Sequence, residues 1–271
     1  MIKMIISDLD GTLLTHHKEI IEKDKQAIRK AIDYGVDVGI ASGRMDVEIK
    51  EVLDIIGYKG HRISQNGAYV YSNNGERLMG KIFSADIVRD VYQFLTEIDD
   101  IKVTLFSENQ AIVQDESMLN AIDDARLFFP IIADPHILEK VNNGLEISKI
   151  SLNAENETLK QVQKQLQPFT EQVDTFISDP HCLDIMPKHI NKGNGVQAIL
   201  DSLHIEPNEI ACIGDSFNDI SMFDLTPHSY VMPQAEDKVK QHASHEVRHV
   251  YEAIHDLFSQ GLITNQHKVT D

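Results

Sequence analysis

The chain has 271 residues, 42% apolar and 25% charged, ordinary for a soluble globular protein and enough for one large core or two smaller ones. With 43 acidic against 25 basic residues the formal net charge is -18, which argues against a nucleic-acid-coating surface and leaves any anion to be met by a few focused cations. Cys182 and Cys212 show no metal or redox spacing, and no apolar run reaches the length of a membrane-spanning helix or a signal-peptide core, so a reducing cytoplasm is expected.

Met4-Ile5-Ile6-Ser7 is a β-forming run that climbs straight into Asp8-Leu9-Asp10-Gly11-Thr12. Two carboxylates beside a buried strand are costly unless paired, protonated or bound to a metal, and each opposes the other's ionisation. Asp10-Gly11 also suits a tight turn between Ile5-Ile6 and Leu13-Leu14, which would make the stretch a hairpin. Glu22 to Tyr34 reads as a helix stopped by Gly35, and Val36 to Ala41 as a buried strand ending in Ser42-Gly43-Arg44. A second helix spans Asp46 to Ile56. Strand, helix, strand, helix is the grammar of a parallel sheet, whose ligands sit at the carboxyl ends of the strands, and this disfavours the hairpin.

Arg62 to Ala68 leads to Tyr69-Val70-Tyr71 and a hairpin signal at Asn74-Gly75, followed by Glu76 to Lys81. Asn66-Gly67 suits a site loop or only a turn. The pattern then changes. A helix over Ile87 to Ile98, strands over Ile101–Phe106 and Ala111–Gln114, and a helix over Met118–Phe129 closed by Pro130 are predicted. A strand over Ile147–Asn153, a helix over Glu157–Leu166, and strands Val173–Ile177 and Cys182–Met186 joined through Asp179-Pro180-His181 follow. Paired strands between single helices suggest an open α+β sheet, so residues 82–187 read as a domain inserted into a core of residues 1–81 and 188–271. Lys192-Gly193 opens the return, with a helix to Leu203 and a buried strand Glu209–Ile213 that runs into Gly214-Asp215-Ser216-Phe217-Asn218-Asp219. A short helix Ile220–Leu225, a strand Tyr230–Met232, a helix Ala235–Ala243, the stretch Val247–Val250 and a helix Tyr251–Phe258 complete the pattern.

Four polar clusters each follow a strand or open a helix: Asp8/Asp10/Thr12, Ser42/Gly43/Arg44, Lys192, and Asp215/Asn218/Asp219. Together they suit phosphoryl transfer. Asp8 can act as a nucleophile and Asp10 as general acid and base. Asp215 is the natural second carboxylate for a divalent cation bridging nucleophile and phosphate. Lys192 offers a point charge and Ser42 a hydrogen bond to phosphoryl oxygens, while Gly11 and Gly43 admit backbone N–H groups close to them. Arg44 can reach a substrate or pair with an acid on the surface. Asn218 and Asp219 can equally cap a helix. The 13 histidines show no ligand spacing.

Asp-Leu-Asp-Gly-Thr, Ser-Gly-Arg, Lys-Gly and Gly-Asp-Ser-Phe-Asn-Asp resemble the four motifs of the haloacid dehalogenase-like (HAD) phosphatase superfamily, and the insert between the second and third resembles that of its Cof-like branch, with an α+β cap of the C2 (IIB) type. The resemblance implies an α/β fold, a Rossmann-like doubly wound parallel core with an inserted cap, and Mg2+-dependent hydrolysis of small phosphomonoester metabolites through an aspartyl-phosphate. By position it puts the nucleophile on Asp8 and the acid/base on Asp10. It gives the metal to Asp8, the Asp10 backbone carbonyl and Asp215, and the phosphate or substrate to Leu9, Gly11, Ser42, Gly43, Arg44, Lys192 and Asn218, with Asp219 in support. Sugar phosphates, nucleotides and phosphorylated cofactors are candidate substrates, and neither nucleic acid nor membrane is an expected partner. A phosphomutase of the same superfamily, or a non-catalytic phospho-acceptor or metabolite sensor, is the alternative. One stretch departs from the pattern: relatives often carry Gly-Asn-Ala where this chain has Met232-Pro233-Gln234-Ala235, at the expected edge of the site.

Overall fold

A computed structural model describes residues 1–121, 131–179 and 181–265. Along the chain β1 (Met4–Ser7) is followed by α1 (Glu22–Asp33), β2 (Asp37–Ala41), α2 (Asp46–Ile56), β3 (His61–Ser64), β4 (Tyr69–Tyr71) and β5 (Arg77–Gly80). Then come α3 (Ala85–Thr96), β6 (Lys102–Phe106), β7 (Ala111–Val113), β8 (Ile131–Ala133), α4 (Ile137–Asn142), β9 (Lys149–Asn153), α5 (Asn156–Gln165), β10 (Val173–Asp179) and β11 (Cys182–Pro187). The last elements are α6 (Lys192–Leu203), β12 (Ile210–Gly214), α7 (Ile220–Phe223), β13 (Ser229–Val231), α8 (Asp237–Lys240), β14 (His245–Glu246) and α9 (Val250–Ser259). Two compact units result, one of Met1–Arg44, Ile49–Met79 and Asn191–Asp271, the other of Met45–Glu48 and Gly80–Ile190.

The first unit holds a sheet in the order β14-β13-β12-β1-β2-β3-β4-β5. Its pairs from β14 through to β3 are parallel, and β3–β4 is antiparallel. Side chains of a strand alternate between faces, and the two halves of the core follow that alternation. Ile5, Val38, Ile40, Ala211 and Ile213 bury against α1, α2 and α9, while Met4, Ile6, Ala41 and Cys212 bury against α6, α7 and α8. The result is a helix–sheet–helix sandwich, a doubly wound Rossmann-like α/β fold. Strand order runs outward in both directions from the β1/β12 pair, so that pair is the topological switch point, where crevices open in such sheets. Asp8 follows one strand of the pair and Asp215 follows the other. The hairpin alternative for Asp10-Gly11 is excluded: β1 pairs in parallel on both sides, and Leu14 N–H folds back to the Leu9 carbonyl.

The second unit is an α+β module with sheet order β10-β11-β9-β6-β7-β8, antiparallel except for the parallel β7–β8 edge. Val103, Leu105, Ile150, Leu152, Leu183 and Ile185 form one face and bury against Val88, Val91, Leu95, Ile137, Val141, Leu159 and Val162 of α3, α4 and α5.

Several element boundaries differ from those expected of the sequence. Strand β8 and helix α4 were not expected; Ile131-Ile132-Ala133 is too short to alternate, and it is recognised only by its parallel partner β7. The predicted helix Met118–Phe129 begins in a short 3-10 segment, Glu116–Ala121, and residues 122–130, with Phe128-Phe129, lie outside the described residues, as does Pro180. The helix predicted over Ala235–Ala243 shrinks to α8, because Ala235 N–H closes a turn onto the Met232 carbonyl and Glu236 is extended. Near the end of the chain His245–Glu246 forms the edge strand, and Val250 already opens α9. Among the described residues no helix is long and apolar enough to cross a membrane.

Candidate active site

Loops at the carboxyl ends of β1, β2, β3 and β12, with the start of α6, build one polar site in the first unit. Lys192 is its pivot. It is the first residue of α6 and is fully buried, and its ammonium donates to Asp8 Oδ1 at 2.6 Å and to Asp219 Oδ1 at 2.7 Å. Gly193 makes this docking possible: a Cβ there would run into the Ser221 carbonyl, while Gly193 N–H donates to Ser221 Oγ at 3.0 Å. Burial works against the Lys192 charge, but Asp219 and Asp8 outweigh it and raise the pKa.

Asp219 is fully committed. Its Oδ2 accepts the backbone N–H groups of Asp215 and Ser216, both at 2.9 Å, and its Oδ1 takes Lys192. It therefore caps the turn after β12 and anchors the lysine at once, uniting the two roles left open by the sequence. The carboxylates of Asp8, Asp215 and Asp219 lie close enough to hold one metal ion. Burial pushes Asp8 up to about 8, Lys192 opposing and Asp219 and Asp215 adding to it. Burial and then Asp219 raise Asp215 to about 6. Ionised together, three carboxylates against one ammonium leave two negative charges, which is what a divalent cation neutralises. The donor set is all oxygen, as Mg2+ requires, so the residues fit that ion.

Asp10 faces elsewhere. Arg44 grips it with Nε on Oδ2 at 2.7 Å and Nη2 on Oδ1 at 2.9 Å, and Lys18 Nζ adds a bond to Oδ1 at 2.6 Å. Burial alone would raise its pKa, yet hydrogen bonds from Arg44 and Lys18 prevail and lower it to about 2. Arg44 thus pairs with an acid of the first polar cluster, Asp10, where a surface acid was the expected alternative to a substrate. The Asp10 side chain stays outside the Asp8/Asp215/Asp219 group.

Ser42 is buried just past β2, next to the end of β1; its Oγ accepts Arg44 N–H at 3.2 Å. Asn66-Gly67 proves to be part of this wall. Asn66 N–H donates to the Ser42 carbonyl, and Asn218 Nδ2 donates to Asn66 Oδ1 at 3.0 Å. Gln65 and Asn66 both hold left-handed backbone, φ 48° and 57°, strain of the kind that collects at working sites. Leu9 is fully buried, whereas Gly11 is exposed with φ 83° and its Cα faces Asp215 so closely that a Cβ would collide with the carboxylate. Thr12 Oγ1 donates to Asp215 Oδ1 at 3.3 Å. Gly43 sits against Asn66.

Two residues at the site were not among the expected site residues. Lys18 lies in a polar loop with no motif to announce it, and Gln234 donates to the Gly11 carbonyl at 2.5 Å. The departure at residues 232–235 was the one available signal for the second.

The chain is similar to known proteins in sequence and in fold. A family model described as haloacid dehalogenase-like hydrolase matches residues 5–254. A 5-amino-6-(5-phospho-D-ribitylamino)uracil phosphatase of Bacillus subtilis, YwtE, is 29% identical over 264 residues, covering 88% of this chain and 90% of its own. An HMP-PP phosphatase of Serratia proteamaculans is 25% identical over 89% of this chain and 87% of its own. Among solved structures, the HAD phosphatase BT1666 of Bacteroides thetaiotaomicron superposes with a TM-score of 0.81 at 22% identity, over 97% of this chain and 96% of its own. The chain belongs to the haloacid dehalogenase-like hydrolase family.

Proposed function

We propose that this protein is a Mg2+-dependent phosphatase of small phosphorylated metabolites, working through a phosphorylated Asp8. The observation that carries the reading is the buried Lys192 ammonium shared by Asp8 and Asp219, with Asp215 alongside, at the switch point of the sheet. The substrate class is supported by the two relatives named as phosphatases of ribitylaminouracil phosphate and of HMP-PP.

The Asp8 and Asp215 carboxylates and the Asp10 backbone carbonyl would hold Mg2+, which when bound offsets the repulsion between the nucleophile and the phosphate. An Asp8 carboxylate oxygen attacks phosphorus while the bond from phosphorus to the leaving oxygen breaks. Lys192 and the Ser42 hydroxyl hold the phosphoryl oxygens. Asp10 gives the leaving oxygen its proton, then removes a proton from the water that attacks the phosphorylated Asp8, and phosphate departs. In the free protein Arg44 and Lys18 hold Asp10 ionised, the form that serves as base. Delivery of a proton to the leaving group requires these cations to turn from Asp10 toward the incoming anion, so that Asp10 first takes up a proton from solvent. Gln65 to Gly67 and Asn218 brace the wall that carries Ser42.

The test is phosphate release from a panel of phosphorylated metabolites and a generic aryl phosphate, with and without EDTA. Release that EDTA abolishes is expected. No release from any substrate, or release indifferent to EDTA, overturns the reading.

A further inference from the structure

We propose that Gln234 is a positioning residue that fastens the Gly11 turn beside the Asp215 carboxylate and so sets the affinity of the site for its divalent cation. This rests on the function proposed above and concerns a residue that the four motifs leave out.

The Gln234 carboxamide donates from Nε2 to the Gly11 carbonyl oxygen at 2.5 Å. Gly11 in turn lies against the Asp215 carboxylate, with no room between them for a Cβ. Gln234 and Gly11 are 223 residues apart in sequence, so a single side chain ties the loop after β13 to the β1 loop where that loop meets Asp215.

The backbone that presents Gln234 is tied to the same place. β13 runs parallel to β12 with Gly214 opposite Val231, and Met232 N–H donates to the Gly214 carbonyl, the residue before Asp215. A turn closed by Ala235 N–H on the Met232 carbonyl then delivers position 234. Met232 and Ala235 are buried on either side of it, whereas Gln234 is exposed and contributes nothing to the core.

The contacts that Asp215 itself makes do not hold the Gly11 turn. Thr12 Oγ1 reaches Oδ1 only at 3.3 Å, and Asp219 holds the Asp215 backbone N–H rather than its carboxylate. The Gly11 turn has φ 83° and lies against the carboxylate with no room for a Cβ. A turn that close and that unusual gains from an external tether. Partners that orient a metal-binding carboxylate change metal affinity or activity by about 10–100-fold when removed.

The experiment uses the full chain. Gln234→Ala and Gln234→Met, the second keeping the length of the side chain without a donor, are titrated calorimetrically with Mg2+ alone, melted in EDTA, and assayed on an aryl phosphate across Mg2+ concentrations. The expected result is Mg2+ binding weaker by about tenfold in both, a matching rise in the Mg2+ needed for half-maximal rate, an unchanged KM at saturating Mg2+, and an unchanged melting point in EDTA. Variants that bind Mg2+ as the wild type does overturn the inference, and so does a melting point in EDTA that falls along with the affinity, which would make the residue merely structural. A wild type that binds no Mg2+ overturns the proposed function and this inference together; a normal wild type with indifferent variants overturns this inference alone.

Discussion

Replacing Lys192 with Met removes one ammonium and leaves two carboxylates in its place. Lys192 is fully buried, and its partners stand at 2.6 and 2.7 Å. Breaking a buried ion pair by removing one partner costs about 3–5 kcal/mol, because the other charge is left uncompensated. Here two charges are left, so protonation of Asp8, already raised toward 8, should absorb part of the penalty and keep the loss within that range. For a protein of this size the expected fall in melting temperature is on the order of 6–20 °C. Adding Asp219→Asn should return part of the stability, since it removes one of the stranded charges; the double variant is then less destabilised than the sum of the singles. Activity on an aryl phosphate should fall by at least about 10²–10³-fold, the usual effect of deleting a preorganised donor to a developing oxyanion. Differential scanning fluorimetry and steady-state kinetics on the two singles and the double suffice. A Lys192→Met protein that melts with the wild type, or a double variant whose losses simply add, would refute the reasoning that the lysine is the charge on which the cluster depends.

Gly11→Ala places a Cβ against the Asp215 carboxylate at φ 83°; a loss of about 1–2 kcal/mol from the left-handed backbone should accompany weakened Mg2+ binding, read by denaturation and calorimetry. Arg44→Met removes the guanidinium that grips Asp10 in the free protein and turns to the incoming anion; hydrogen bonds to charged groups are worth about 1.5–3 kcal/mol, so losing those to the anion should lower kcat/KM on a sugar phosphate by about 10–100-fold. Asp37 has its pKa lowered, first by the His61 imidazole 3.8 Å away and, against burial, by the Tyr58 phenol at 2.6 Å. A depressed folded-state pKa gives stability that is present above the unfolded value and lost as pH falls through the folded one. Tyr58→Phe should therefore cost stability at neutral pH, with the gap to wild type closing below about pH 4, as paired urea titrations would show.

Much of the core was legible because parallel strands buried on both faces read as short apolar runs that end at their polar residues. Ile5-Ile6 into Asp8, Ile40-Ala41 into Ser42 and Cys212-Ile213 into Asp215 all had this form, and the switch point brings their ends together. What the sequence hid was set by contacts distant along the chain. Strand β8 exists because β7 offers it a parallel edge, and no local pattern records that. The pairing of Arg44 with Asp10 spans 34 residues, and Lys18, itself in left-handed backbone, reaches Asp10 from an exposed loop, so neither residue's side-chain direction followed from its spacing. Asp219 looked like a helix cap or a support for Lys192, and a carboxylate with two oxygens serves both.

The central claim is that Asp8 itself takes the phosphoryl group. Its most direct test uses Asp10→Asn with an aryl phosphate, whose leaving group needs no proton, so that Asp8 is phosphorylated normally but water is activated poorly. After acid quench, peptide mass spectrometry should find the phosphoryl increment on the peptide carrying Asp8, present with Mg2+ and absent with EDTA. Continued turnover with no phosphorylated peptide, or a phosphoryl group found on a residue other than Asp8, would contradict the account.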